Sequence, residues 1–153
     1  MENRTPVLNL PAAELKVDEN MIFDPVRKKW VTLTPEEWVR QNFIAYLIDS
    51  RKYPKSLIKI EASINAFNKA RRCDAIIYTR EVSPLVIIEF KAPDIEINEK
   101  TFKQIAFYNS SLNVPFLILS NGLDHYFCEV NPVNKTCKFW DHIPLYQEIN
   151  SLI

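Results

Sequence analysis

Apolar and polar positions along this chain follow two periods, and the switches between them mark the elements. VPFLILS, residues 114–120, is an unbroken apolar run, the pattern of a central strand buried on both faces. Three β-rich runs precede it, SLIKIEASI, RCDAIIYT and PLVIIEF, separated by polar stretches; they predict three neighbouring, mostly antiparallel strands. Two more, DHYFCEV and KTCKFWD, follow it around a loop near Asn131-Pro132, after a turn at Asn121-Gly122. Nearer the start, MIFDP and KKWVTL predict a hairpin over 21–33, turned at Asp24-Pro25.

Helical spacing fills the gaps. Thr34-Pro35-Glu36-Glu37 combines a capping threonine, a proline at the first helical position and acids at the positive end of the helix dipole. The helix it opens should run to about Ser50, before Pro54. Trp38, Phe43, Ala45, Tyr46, Leu47 and Ile48 make its apolar face, with Arg40, Gln41 and Asn42 opposite or at its edge. A second helix is predicted over 98–112, with Phe102, Ile105, Ala106 and Leu112 on one side, and PLYQEI predicts a last helical turn. Residues 1–20 read as an extended arm packed at Leu8 and Leu10. The expected organisation is one domain: arm 1–20, hairpin 21–33, core 34–130, and a C-terminal strand and tail over 131–153. Its fold class is α/β of the mixed-sheet (α+β) kind, with helices packed against one mixed sheet.

Composition narrows the function. With 153 residues and 47% hydrophobic positions, the chain can bury a real core. No apolar run reaches the roughly 20 residues of a spanning helix, and MENRTPVLNL lacks the layout of a signal peptide, so a cytoplasmic location without a membrane is expected. Cys73, Cys128 and Cys137 show no metal-binding spacing and read as buried free thiols. His125 and His142 have no partners at ligand or triad spacing and read as structural or surface residues. Lysine plus arginine equals aspartate plus glutamate at 19 each, so any basic surface is local. The single glycine, Gly122, excludes the glycine-rich phosphate loops of nucleotide motors.

One charge pattern stands out. In VIIEFKAP, Glu89 and Lys91 leave an apolar strand on the same face. If the strands around 72–79 and 85–91 form a hairpin turned at 81–82, Asp74 lies opposite Glu89. Two carboxylates side by side repel and call for positive charge between them. A divalent cation would supply it, with Lys91 completing an acid, acid, lysine cluster; alternatively, Lys91 alone neutralises the pair as a structural ion cluster.

These residues resemble the PD-(D/E)XK nucleases, whose core runs αβββαβ with an aspartate and then a (D/E)-x-K on adjacent strands. Asp74, Glu89 and Lys91 match that signature, while Arg72-Cys73 replaces the proline that often precedes the aspartate. Gln104 and Tyr108, one helical turn apart, form the Q-x-x-x-Y of the branch that includes the N-terminal nuclease domain of type I restriction motor subunits. EEWVRQNF in the first helix, Glu61, Arg72 and the SNG after the central strand extend the likeness over roughly residues 21 to 130.

The resemblance implies a restriction-endonuclease-like core with helices on both faces and Mg²⁺- or Mn²⁺-dependent hydrolysis of DNA phosphodiester bonds. Asp74, Glu89 and the backbone carbonyl of Phe90 would bind the metal, and Lys91 would orient or deprotonate the attacking water. Gln104 and Tyr108 would hold the phosphate backbone or fix Lys91, or simply pack. Glu37 or Glu61 would be an additional acid; Glu37 can equally serve the helix dipole alone. Arg40 and Gln41, and the basic run Lys69, Arg71 and Arg72, would contact phosphates, or be ordinary surface and loop residues. Partners would be DNA and a separately encoded motor or specificity subunit. A reading from another class is a nuclease-fold module that binds nucleic acid or protein without cleaving.

Overall fold

The apolar run after Pro115 forms the middle of the sheet. In the computed structural model, Phe116–Ser120 (β7) is buried at every position. It lies parallel to Pro84–Phe90 (β6) and antiparallel to His125–Asn131 (β8). Lys69–Tyr78 (β5) and Ile58–Ala66 (β4) extend the sheet on one side and Thr136–Trp140 (β9) on the other, giving six strands in sequence order. The structure describes residues 5–66, 69–109, 112–131, 133–134 and 136–153, the side chains of residues 66, 69, 108 and 109 excepted. Among the described strands only β6 and β7 pair in parallel, and Glu99–Asn109 (α2) lies in the connection such a pair requires.

The helices cover both faces, as the resemblance implies. Pro35–Asp49 (α1) begins where Thr34 Oγ1 accepts the Glu37 amide at 3.0 Å. It packs Val39, Phe43 and Leu47 against Ala75, Ile77, Val86, Ile88 and Phe90. The short Tyr146–Asn150 (α3) joins this layer, and the Tyr53 hydroxyl donates to the Pro144 carbonyl at 3.0 Å. On the opposite face α2 sets Phe102 and Ala106 against Ile76, Ile87, Leu117 and Cys128. No described helix is long and apolar enough to cross a membrane. Cys73 and Cys128 are buried free thiols, while Cys137 is only half-buried.

Ahead of α1, Met21–Asp24 (β2) and Lys29–Thr32 (β3) form the expected hairpin. Val17–Asp18 (β1), within the stretch read as an extended arm, adds a third strand to it. The arm itself crosses the end of the main sheet. Asn9 N donates to the Gly122 carbonyl at 2.9 Å, and Trp38 Nε1 donates to the Pro6 carbonyl at 2.9 Å. Leu8 closes over Gly122, whose φ of +86° favours glycine and where a Cβ would come within 2.8 Å of Leu8 Cδ2.

Two further features depart from the expectation. Arg40, Gln41 and Asn42 are buried rather than facing solvent, because the hairpin covers that side of α1 and meets it with charge. The β4–β5 pair also turns over along its length. Ile58, Ile60, Ala75 and Ile77 face the α1 layer, whereas Ala62 and Cys73 face the α2 layer. The change falls at Glu61, whose φ is +51°, and at Asp74 across from it.

Candidate active site

β5 and β6 pair with Ala75 opposite Ile88, Ile76 opposite Ile87 and Ile77 opposite Val86. One further step in this register sets Asp74 beside Glu89, at the point where the ladder stops. Asp74 Oδ2 accepts the Phe90 amide at 2.7 Å, replacing the backbone bond that the ended pairing no longer supplies. The two carboxyl groups are close enough to act on each other. Burial, then the charge and hydrogen bond of Asp74, push Glu89 up to about 8 against the opposing pull of Lys91.

Lys91 sits just past the end of β6. Its amide donates to the Ser120 carbonyl at 2.9 Å, so the end of β7 fixes its backbone. Ser120 is itself braced: its Oγ accepts the Gly122 amide at 2.9 Å and lies 2.7 Å from His125 Nδ1. His125 Nε2 lies 2.9 Å from the Asn9 carbonyl, an acceptor only, so Nε2 carries the proton and Nδ1 accepts from the Ser120 hydroxyl. Burial holds the His125 ring below the ordinary imidazole range, although the Asn9 carbonyl pulls it upward. The histidine is structural, as its isolation in the sequence implies.

Glu36, which the sequence reading left without a role beyond the helix dipole, is the acid of α1 that faces this pair. Burial and then the charge of Asp74 raise its carboxyl, while Arg40 and Lys91 pull the other way. Its signal was its place one residue before Glu37, since adjacent helical residues point about 100° apart and cannot both face the hairpin.

Glu37 points elsewhere. Its oxygens accept Arg27 Nη2 at 2.6 Å, Arg40 Nε at 2.8 Å and Nη2 at 3.0 Å, and Gln41 Nε2 at 3.2 Å. Burial alone would raise this carboxyl; the Arg40 and Arg27 guanidinium groups outweigh it and hold it below the usual range. Glu61 is likewise turned to arginines, at 3.1 Å from Arg72, 3.4 Å from Arg27 and 3.7 Å from Arg40. Both expected additional acids are therefore engaged in ion pairs.

The phosphate-contact expectation for Arg40 and Gln41 is corrected on the same ground. They are 6% and 3% exposed, with Arg40 Nε and Nη2 and Gln41 Nε2 all donating to Glu37. Arg71 and Arg72 lie on β5 rather than in a loop, and the Arg72 side chain is 70% exposed. Gln104 is exposed on α2, and no hydrogen bond among the described residues joins it to Asp74, Glu89 or Lys91. The side chains of Lys69 and Tyr108 lie outside the described residues.

Among the described residues no three His, Cys, Asp or Glu side chains come together as a metal-holding group. What the strands bring together is a smaller set: two carboxyls, the Phe90 backbone that binds one of them, and a lysine. Such a set fits a hard cation that keeps several of its own waters.

A family model described as "Type I restriction enzyme R protein N terminus (HSDR_N)" matches residues 35–144. The chain belongs to this family. The match spans α1, the strands carrying Asp74, Glu89 and Lys91, and α2. No match is found among curated proteins. Among solved structures, the fold is similar to a fragment assigned as an HsdR subunit of a type I restriction enzyme from Vibrio vulnificus YJ016. The TM-score is 0.54 at 15% identity, covering 76% of this chain and 24% of that one. The HSDR_N-family chain thus corresponds to about a quarter of that structure, and the likeness is one of fold.

Proposed function

We propose that this chain is a PD-(D/E)XK-type nuclease module that hydrolyses DNA phosphodiester bonds with Mg²⁺ or Mn²⁺, in the cytoplasm. The observation that carries the reading is the pair of carboxyls, Asp74 and Glu89, at the end of the β5–β6 ladder, with Asp74 bound to the Phe90 amide and Lys91 just past the strand. Two neighbouring carboxyls, one of them pushed well above its ordinary range by burial and by the other, are an inefficient way to build a core, and a ready way to hold a divalent ion. Asp74, Glu89 and the Phe90 carbonyl would hold it, and Glu36 rather than Glu37 or Glu61 would act on its water shell. The ion supplies charge neutralisation at the scissile phosphate and a bound water of lowered pKa.

The protein groups do the rest. Glu89 gives up its proton as the site loads, so loading releases a proton near neutral pH. Lys91, on a backbone tied to Ser120, orients the attacking water and stabilises the charge developing on the phosphate. Arg72 and Arg71 on β5, with Lys69, would contact the DNA backbone on one side, and Gln104 with Tyr108 on α2 on the other. Family membership supports a setting in which DNA is presented by a separately encoded motor or specificity subunit.

Calorimetric titration with Mg²⁺ and Mn²⁺ tests the site, with Asp74→Ala abolishing binding. Lys91→Ala is expected to keep metal affinity and lose cleavage of supercoiled DNA. Wild-type protein that binds no metal would remove the nuclease reading. Metal-dependent DNA binding without cleavage, unchanged by Lys91→Ala, would favour a non-catalytic binding module.

A further inference from the structure

The site is held from behind by a buried ion ladder that starts in the N-terminal hairpin. Asp24 is fully buried and accepts the Val26 amide at 2.8 Å, the Arg27 amide at 3.1 Å and Arg27 Nε at 2.5 Å. Arg27 then reaches across to Glu37 at 2.6 Å, and Glu37 takes a two-pronged pair from Arg40 at 2.8 and 3.0 Å. The last rung leaves the helix: Arg40 Nη1 points at the Asp74 carbonyl, 3.5 Å away. Burial raises the cost of each carboxylate in the ladder, and the arginines overcome it, since Asp24 and Glu37 both stay below the ordinary carboxyl range.

The backbone of β4 and β5 shows why such a rung is needed. Pairing runs Ile60 with Ala75 and then Ala62 with Cys73, skipping Glu61 and Asp74. Glu61 holds a left-handed φ of +51°, a conformation that breaks the ladder and rolls the hairpin from one layer to the other. Asp74 therefore sits on a segment without the usual strand partner on its β4 side. A partly buried carbonyl there still favours a donor, and Arg40 Nη1 lies 3.5 Å from it. Arg40 also lies 3.7 Å from Glu61, so one guanidinium touches both residues of the break.

We propose that Arg40 is a positioning residue for Asp74, and that Arg27 makes the N-terminal hairpin a working part of the site by locking the Glu37 carboxylate that orients Arg40. The function assigned to this positioning rests on the reading of Asp74 as a metal ligand. The positioning itself has an observable of its own, because the Phe90 amide is bound to the Asp74 carboxylate and reports how firmly it is held. A planar fork with its donors in fixed directions is needed, so lysine cannot replace it.

Amide hydrogen exchange on the full chain reads this directly. In Arg40→Lys, which keeps the buried charge and so the fold, protection of the Phe90 amide is expected to fall about tenfold or more. The Leu117 and Leu119 amides, in the middle of the sheet, should keep theirs. Arg27→Lys should show the same pattern more weakly. Mg²⁺ affinity of Arg40→Lys should fall by a similar factor. A role in stability alone predicts a lowered melting temperature with Phe90 no more exposed than its neighbours, and that result overturns the proposal even if Mg²⁺ binds. Selective loss at Phe90 in protein that binds no Mg²⁺ in any form would uphold the positioning and remove the metal reading instead. Should Arg40→Lys fail to fold, Arg27→Lys and Gln41→Leu, which trims the same carboxylate's partners, carry the measurement; unchanged Phe90 protection in both overturns it.

Discussion

The Asp74–Glu89 pair makes a specific prediction about stability against pH. Glu89 moves from an ordinary 4.5 to about 8 in the fold because of burial and Asp74. Between those values the folded protein keeps a proton that the unfolded chain has already lost. Stability is therefore fully present below about pH 4.5, falls as pH rises through the window, and levels off above about pH 8. At about 1.4 kcal/mol for each pH unit, the full loss is on the order of 5 kcal/mol. That figure is an upper one, because water reaching the half-buried pair screens the repulsion. Glu36, also raised, adds slope of the same sign. Asp24 and Glu37, both lowered, lose their contribution only as pH falls through the acid range below the window.

The perturbation is Glu89→Gln. Its amide keeps the size and polarity of the side chain and can donate to Asp74, yet it cannot ionise. Urea unfolding in chelator at a series of pH values should show the wild type losing several kcal/mol across the window and the variant a much shallower profile, the two diverging at the alkaline end. Mg²⁺ should then restore the alkaline loss in the wild type alone, by about 2.7 kcal/mol at a hundredfold excess over its Kd. Parallel profiles for the two proteins, or a wild type that gains stability toward pH 8, would refute this account of a raised Glu89 carboxyl.

Three further outcomes follow from particular contacts. Glu36→Gln should leave the melting temperature nearly unchanged and weaken Mg²⁺ binding, whereas Glu37→Gln should cost about 3–5 kcal/mol, because Arg27 and Arg40 are left buried without their carboxylate; thermal melts with metal titrations separate the two. Gly122→Ala meets both a φ of +86° and Leu8, and should destabilise by about 1–3 kcal/mol, read as a drop of roughly 2–4 °C per kcal/mol in calorimetry. Val82 holds a φ of +64° in the exposed β5–β6 turn, poor geometry for a β-branched residue. Val82→Gly should raise stability by up to about 1 kcal/mol without altering metal affinity; an unchanged or lowered melting point would count against the strain.

The paired strands were legible because period-two alternation fixes which face each residue takes, and a tight turn fixes the register. Glu89 and Lys91 announced themselves as charges inside an apolar run, and the short connection at 79–83 was enough to bring Asp74 opposite Glu89. The surroundings of α1 were not legible in the same way. A helical pattern identifies the apolar side and says nothing about what meets the polar side. Here a hairpin from earlier in the chain delivers Arg27 onto Glu37, turning Arg40 and Gln41 from expected surface donors into interior ones. The left-handed turn at Glu61 has no sequence mark at all, since glutamate carries no preference for it. This also explains why equal numbers of acids and bases were uninformative. Arginines that balance buried carboxylates, as Arg27 and Arg40 do, cancel in the total while contributing nothing to the outer surface. Any field that attracts nucleic acid must then come from cations such as Arg72, whose side chain stays mostly in solvent while reaching Glu61. Arg40 on α1 faces inward toward the Asp74 carbonyl, whereas Arg72, two residues before Asp74 on β5, keeps its side chain mostly in solvent.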